Sequence, residues 1–142
     1  MSIKTTLAAF GLSLLLAGCS SAPSSDAIGQ ALQQELVANH QGDLFSIENV
    51  KVVKEIESTD TSYSADVSYD LVFQQSMEEL RKGLANNASK DVLGALGAGA
   101  NLVTLQMQYG SFVKGQRVPK REKVEFVKEQ QGWLLAKHSE VL

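Results

Sequence analysis

The chain has 142 residues, 44% of them hydrophobic and 20% charged, with a formal net charge of −3, two histidines and one cysteine. A chain of this length forms one ordinary domain with its own hydrophobic core and leaves no room for a second. The single cysteine excludes a disulfide framework, and no cluster of Cys and His residues suggests a structural metal.

The first 18 residues have the parts of a secretory signal peptide. One cation, Lys4, precedes an uncharged apolar run over residues 7–17, and small residues close that run. The run is shorter than the ~20 residues that a membrane-spanning helix needs, which favours a cleaved signal over a permanent membrane helix.

Leu16-Ala17-Gly18-Cys19 resembles the lipobox of bacterial lipoproteins at every position. The resemblance implies that diacylglycerol is attached to the Cys19 thiol, that the peptidase cuts between Gly18 and Cys19, and that the new N-terminus is acylated, for example with palmitate. Ser20 stands where the family's inner-membrane retention signal has Asp, which implies an outer-membrane lipoprotein, on the periplasmic leaflet unless it is flipped outward. The alternative is an ordinary signal peptide followed by an incidental free thiol.

Cleavage of residues 1–18 leaves 124 of the 142 residues. Residues 19–25 are expected to be the lipidated cysteine and a flexible polar tether, and residues 26–142 a single periplasm-facing domain. Residues 19–80 carry two cations and eleven acids, whereas residues 81–142 carry ten cations and five acids. Either the two halves pair across one sheet, or the basic half faces an anionic partner such as lipid head groups.

The first half of the domain predicts one helix and two strands. Apolar residues at helical spacing follow Ser24 and Ser25, either of which can cap the helix, and Gly42 is expected to end it. Residues 44–57 read as a strand whose apolar parity switches near Asn49, as a β-bulge produces. Residues 63–73 alternate apolar and polar side chains, which predicts an antiparallel strand with one buried face.

The second half predicts a second helix and further strands. Ser76 and Glu79 have the spacing of a capping box. The uncharged Gly/Ala-rich segment 92–101 follows, too short to span a bilayer. It is expected to pack against the sheet, to form an interface or to dip into lipid, with four aliphatic residues as the candidate interface: Val92, Leu93, Leu96 and Leu102. Alternation predicts a strand at residues 103–109, a half-exposed or edge strand at residues 121–129, and a last strand at residues 133–140, where Trp133 is expected to pack into the core.

Together these elements predict an α+β fold, with an N-terminal helix packed on a curved antiparallel sheet of four to five strands. A helical Gly/Ala-rich insertion is expected between the second and third strands. The order of elements, carried by residues 63–73 and 126–135, is similar to that of small cystatin-like and nuclear-transport-factor-like lipoproteins. The resemblance implies a helix lying in the concave face of the sheet.

No residue pattern in the chain specifies a catalytic chemistry, a metal site or a cofactor. Asp66 and Asp70 are four positions apart on one strand face, about 13 Å, which is too far for one metal or a glycosidase pair. His40 and His138 belong to no catalytic arrangement and are expected at the surface. The glycines of residues 94–99 do not match a dinucleotide-binding or phosphate-binding loop.

The leading functional hypothesis is a non-enzymatic binding or scaffold lipoprotein of the cell envelope, with the membrane and an envelope protein as its partners. The anchor and the apolar Gly/Ala segment motivate this hypothesis, and nucleic acid is not expected as a partner in this compartment. The alternative is a carrier of a small hydrophobic ligand, bound between helix and sheet by residues such as Tyr63, Tyr69 and Met107.

Overall fold

A computed structural model describes residues 22–88 and 92–141, and the side chains of residues 22–86 and 101–141. Its elements are, in chain order, α1 (Ser25–Ala38), β1 (Phe45–Ser58), β2 (Ser62–Phe73), α2 (Met77–Ala88), α3 (Val92–Tyr109), β3 (Arg117–Glu129) and β4 (Gly132–Glu140). The strands form one antiparallel sheet in the order β1-β2-β3-β4. The predicted α+β class is therefore confirmed, with four strands and a helical insertion between β2 and β3.

The sheet curves around α1. This helix approaches both β1 and β4, which are the two outermost strands. In a flat sheet these strands would lie three spacings apart, about 14 Å, so the sheet must bend for one helix to reach both. The bulge predicted near Asn49 is present, because the pairing of β1 with β2 shifts between Glu48 and Lys51 and Asn49 has a φ of 56°.

The hydrophobic core lies between the concave face of the sheet and the helices. The alternation of residues 63–73 is confirmed, since the odd-numbered side chains of β2 are all buried, and α1 adds Ile28 and Leu32. At the end of β2, Phe73 is fully buried and stacks on Phe112, with ring centroids 4.0 Å apart. The fold therefore depends on one apolar layer that the concave side of the sheet shares with the helices.

Helix α1 begins as expected but ends earlier than Gly42. The Ser24 hydroxyl accepts a hydrogen bond from the Ala27 amide at 3.1 Å, as an N-cap does. The last turn closes with hydrogen bonds from the Gln41 amide to the Leu36 carbonyl and from the His40 amide to the Val37 carbonyl. This is a Schellman motif, in which His40, with a φ of 60°, occupies the left-handed position that usually holds glycine.

Replacing His40 with glycine is expected to stabilise the protein by about 0.5–1 kcal/mol, because glycine adopts positive φ without the Cβ strain of histidine. Chemical denaturation of both proteins measures the difference. The matched control is Gly42→Ala, which places a Cβ 2.6 Å from Cγ2 of Val37 and should destabilise. A His40→Gly variant less stable than the wild type would contradict the assignment of the left-handed position.

Helix α2 begins with the predicted capping box. The Ser76 hydroxyl accepts from the Glu79 amide at 3.1 Å, and the Glu79 carboxylate accepts from the Ser76 amide at 2.7 Å. These reciprocal bonds satisfy two donors that a helix start leaves without partners.

The strand predicted at residues 103–109 is wrong, because this segment is the last part of helix α3. Leu102, Leu105 and Tyr109 also recur at spacings of three and four, and these side chains pack against the core. Val103 and Met107 are 58% and 84% exposed, as residues on the outer side of a helix are. The segment satisfies both periodicities, and packing on the sheet selects the helical one.

Strand β3 lies inside the sheet, between β2 and β4, so of the two alternatives the half-exposed strand is confirmed and the edge strand is wrong. Its high charge is instead accounted for by cross-strand ion pairs.

Trp133 packs against the core as expected, with its ring edge-to-face with Tyr63 at 6.3 Å.

Candidate functional site

Strand β3 directs two charged side chains toward the concave, apolar side of the sheet. Glu122 pairs with Val67 and Lys120 pairs with Tyr69, both of which are core positions of β2. Glu122 therefore shares a strand face with Val124 and Phe126, and it is only 8% exposed. A buried carboxylate needs partners, because an unpaired charge in such a place is strongly destabilising.

The Glu122 carboxylate has partners on both oxygens. The Tyr69 hydroxyl donates to Oε1 at 2.9 Å, and Nδ1 of His138 lies 3.1 Å from Oε2. An ionised carboxylate only accepts hydrogen bonds, so His138 is then the donor at that contact. These three residues come from β2, β3 and β4, and they form a hydrogen-bonded row across the sheet.

A second polar pair lies beside that row. Nζ of Lys120 is 2.7 Å from Oε1 of Glu140, and the lysine side chain is 19% exposed. This hydrogen bond raises the pKa of Lys120 and lowers that of Glu140. Burial, and then the Glu122 carboxylate, raises the pKa of Tyr69, so its hydroxyl stays protonated and remains a donor.

These polar groups line a cleft of about 250 Å³ between α1, α3 and the sheet. Its apolar wall comes from α1, the start of β1, the end of β2 and α3: Leu32, Leu36, Phe45, Ile47, Leu71 and Leu105. The remaining lining is polar or aromatic: Glu35, Asn39, Gln41, Gln108 and Tyr109. The cleft thus combines six apolar residues with a set of ordered charges on the sheet.

Sequence reasoning missed this arrangement, although a signal for it exists. Lys120 and Glu122 have the same parity as Val118, Val124 and Phe126, so an alternating strand must turn them inward. The contribution of His138 has no such signal, because an irregularity in the pairing of β3 with β4 next to Glu125 sets its register. His138 is exposed at its outer edge, as predicted, but its ring contacts Glu122.

The expected pocket residues are only partly brought together. Tyr69 lines the cleft, whereas Met107 is exposed and Tyr63 is buried in the core away from the lining. Among the candidate interface residues, Leu102 is partly buried against the core. The side chains of Val92, Leu93 and Leu96 lie outside the described residues, as do Gly18 and Cys19.

The opposite, convex face of the sheet carries cross-strand ion pairs. Arg117 pairs with Glu48 and Asp70, and Arg121 lies 3.5 Å from Asp66. These contacts confirm that the acidic and basic halves of the chain pair across one sheet. Asp66 and Asp70 therefore act as ion-pair partners on the outward face of the sheet.

Within residues 22–88 and 92–141, no helix is long and apolar enough to cross a bilayer. In the same residues, no three His, Cys, Asp or Glu side chains gather as a metal site would require. Comparison of the chain with protein-family models, with curated proteins and with solved structures finds no match.

Proposed function

We propose that this protein is an outer-membrane lipoprotein, anchored through acyl and diacylglycerol chains on Cys19, whose domain is a non-enzymatic binding module facing the periplasm. The binding site is the cleft, and its ligand is a small amphipathic molecule. One observation carries this proposal: β3 turns Lys120 and Glu122 inward, into an open cleft that six apolar side chains also line.

The anchor is supported by the sequence alone. Cys19 completes the lipobox and is the one cysteine of the chain. A single acyl chain gives only marginal membrane binding, but several chains on one residue hold a domain at the surface, since each buried methylene adds about 0.8 kcal/mol.

Ordered polar groups beside an apolar wall favour binding over catalysis in this cleft. Glu122 and Lys120 are held by Tyr69, His138 and Glu140, so their positions are fixed before a ligand arrives. Fixed groups of this kind orient a ligand and set its specificity, while apolar residues beside them add contact area.

The polar wall also bears on the alternative, a carrier of purely hydrophobic ligands. The six apolar residues favour such a carrier. A wholly apolar occupant, however, would remove water from Lys120, Glu140 and His138 without offering them new hydrogen bonds, which costs free energy. A ligand with one apolar and one polar end avoids that cost. The volume of about 250 Å³ lies below the range of drug-sized ligand sites, so the ligand is small.

A thermal-shift screen with a blocked cleft tests the proposal. The probes are alkylamines, fatty acids and alkanols of matched short chain length, added to the mature domain. At a free concentration 100-fold above its dissociation constant, a probe that binds the folded domain is expected to raise its free energy of unfolding by about 2.7 kcal/mol. In Gln108→Trp, an indole on the exposed lining residue of α3 should obstruct the cleft and abolish that gain.

Met107→Trp is the matched control, because it places the same side chain on the residue just before Gln108 in α3. Met107 is 84% exposed and lies outside the cleft lining. It should respond to probes as the wild type does. Equal responses in Gln108→Trp and Met107→Trp, or no response to any probe class, would rule the cleft out as the binding site. A probe that binds only as the alkanol would favour the hydrophobic carrier.

A further inference from the structure

The folded domain begins very close to the proposed lipid anchor. Ala22 packs against the core and Pro23 is buried, so the chain is fixed to the domain from Ala22 onward. Only Ser20 and Ser21 separate Ala22 from Cys19. Three backbone steps span at most about 11 Å, so a lipidated Cys19 would keep this part of the domain against the membrane.

The contacts of α1 show which part of the domain that is. Gln33 bonds to the backbone of Phe45 and Ile47 at the start of β1, whereas Gly29 approaches Val50. The helix therefore runs antiparallel to β1, and its N-terminus points along the second half of that strand. A 14-residue helix is about 21 Å long, and the cleft is lined by the C-terminal half of α1. The anchor and the cleft thus lie toward opposite ends of this helix.

The second half of β1 leads to the β1–β2 and β3–β4 turns. We call this part of the sheet, residues 51–64 and 123–137, the hairpin end. Five aliphatic side chains are exposed there: Val52, Val53, Ile56, Val127 and Leu134. Val37, Val103 and Val113 are exposed elsewhere on the domain. Leu134 is 52% exposed and Ile56 48%.

We propose that the hairpin end lies on the lipid bilayer, with exposed aliphatic side chains such as Ile56 and Leu134 at its surface, and that the cleft opens away from the membrane. The inference rests on the proposed lipidation of Cys19. Two independent features agree on it: the short link from Cys19 leads toward this end, and this end carries five exposed aliphatic side chains. The ligand of the cleft then arrives from the aqueous side and not from the bilayer.

Site-specific labelling of the intact lipoprotein tests this orientation. Because lipidation consumes the Cys19 thiol, one introduced cysteine provides a single labelling position. Ile56→Cys and Leu134→Cys report on the hairpin end, and both positions are exposed. Lys114→Cys and Gln108→Cys report on the opposite end, where Gly115 bonds to the end of β2 and Gln108 lines the cleft. Each variant carries an environment-sensitive fluorophore and is reconstituted into phosphatidylethanolamine–phosphatidylglycerol vesicles that contain nitroxide-labelled lipid.

Quenching by the nitroxide lipid is expected to be several-fold stronger at positions 56 and 134 than at positions 108 and 114. Equal quenching at all four positions, or stronger quenching at 108 and 114, would overturn the orientation. The mass of the purified protein separates this result from the proposed function. A lipidated protein with reversed quenching contradicts the orientation alone, whereas a mass without acyl chains on Cys19 overturns the anchor and the orientation together.

Discussion

Replacing Phe73 with alanine is expected to lower the free energy of unfolding by about 3–5 kcal/mol, the range for a large aromatic side chain removed from a packed core. Phe73 is fully buried at the end of β2. Its ring packs against three other aromatic rings. The distances between ring centroids are 4.8 Å to Phe45, 5.3 Å to Tyr109 and 4.0 Å to Phe112. Truncation removes contacts with β1, α3 and the following loop at once, and those groups cannot all close the cavity.

Urea denaturation measures the loss of unfolding free energy in Phe73→Ala, and amide hydrogen exchange should show which part of the domain is destabilised. Since Tyr109 rests on Phe73 and Phe45, the last turn of α3 should exchange faster in the variant. Phe73→Leu, which keeps most of the side-chain volume, should lose less unfolding free energy than Phe73→Ala. Val113→Ala, at a 63% exposed position in the same region, should change stability by no more than about 0.5 kcal/mol. A loss at Phe73→Ala comparable to that at Val113→Ala would show that the aromatic cluster does not join α3 to the sheet.

Tyr69→Phe is expected to lower the free energy of unfolding of the domain by about 1.5–3 kcal/mol, although it removes a single oxygen atom. The hydroxyl donates to a carboxylate that is 8% exposed, and its removal leaves Oε1 of Glu122 without that donor in an apolar setting. Hydrogen bonds to charged groups contribute more than neutral ones, and a buried acceptor left unpaired bears its full desolvation cost.

Tyr63→Phe is the matched control for this prediction. Tyr63 lies on the same face of β2 and is also a buried residue, but its hydroxyl makes no hydrogen bond to another described residue that would be lost. A double-mutant cycle with Glu122→Leu isolates the pair, because the effect of Tyr69→Phe should largely disappear once the carboxylate is gone. Similar losses in Tyr69→Phe and Tyr63→Phe would contradict a stabilising bond to Glu122.

The two variants have different consequences for the proposed binding site. Phe73 is outside the cleft lining, so its loss should act on the stability of the domain and on α3. Tyr69 lines the cleft and holds Glu122, so its loss should also change how the polar wall is ordered. Probe binding measured on folded Tyr69→Phe at low temperature therefore complements the blocked-cleft experiment.

The sequence by itself determined the elements whose signals are local. The Ser24 cap, the Ser76–Glu79 capping box, the bulge at Asn49 and the alternation of residues 63–73 each depend on neighbours a few positions away, and all are present. The lipobox is likewise local, and the anchor on Cys19 stays a prediction. Local chemistry of this kind is readable because the backbone groups or side-chain faces concerned are set within one turn or one strand.

Only the tertiary structure decided the features that depend on distant partners. Residues 103–109 satisfy both a strand and a helix period, and burial of Leu105 and Tyr109 against the sheet selects the helix. The charge of β3 is typical of an edge strand or a half-exposed one. The inner position of β3 follows only from its pairing, which also places acids of β1 and β2 opposite its arginines. Three residues that line the cleft and are connected by hydrogen bonds, Tyr69, Glu122 and His138, are up to 69 positions apart in the chain. Strand register and sheet curvature bring these residues together, and both arise from pairing between strands that no single stretch of sequence contains.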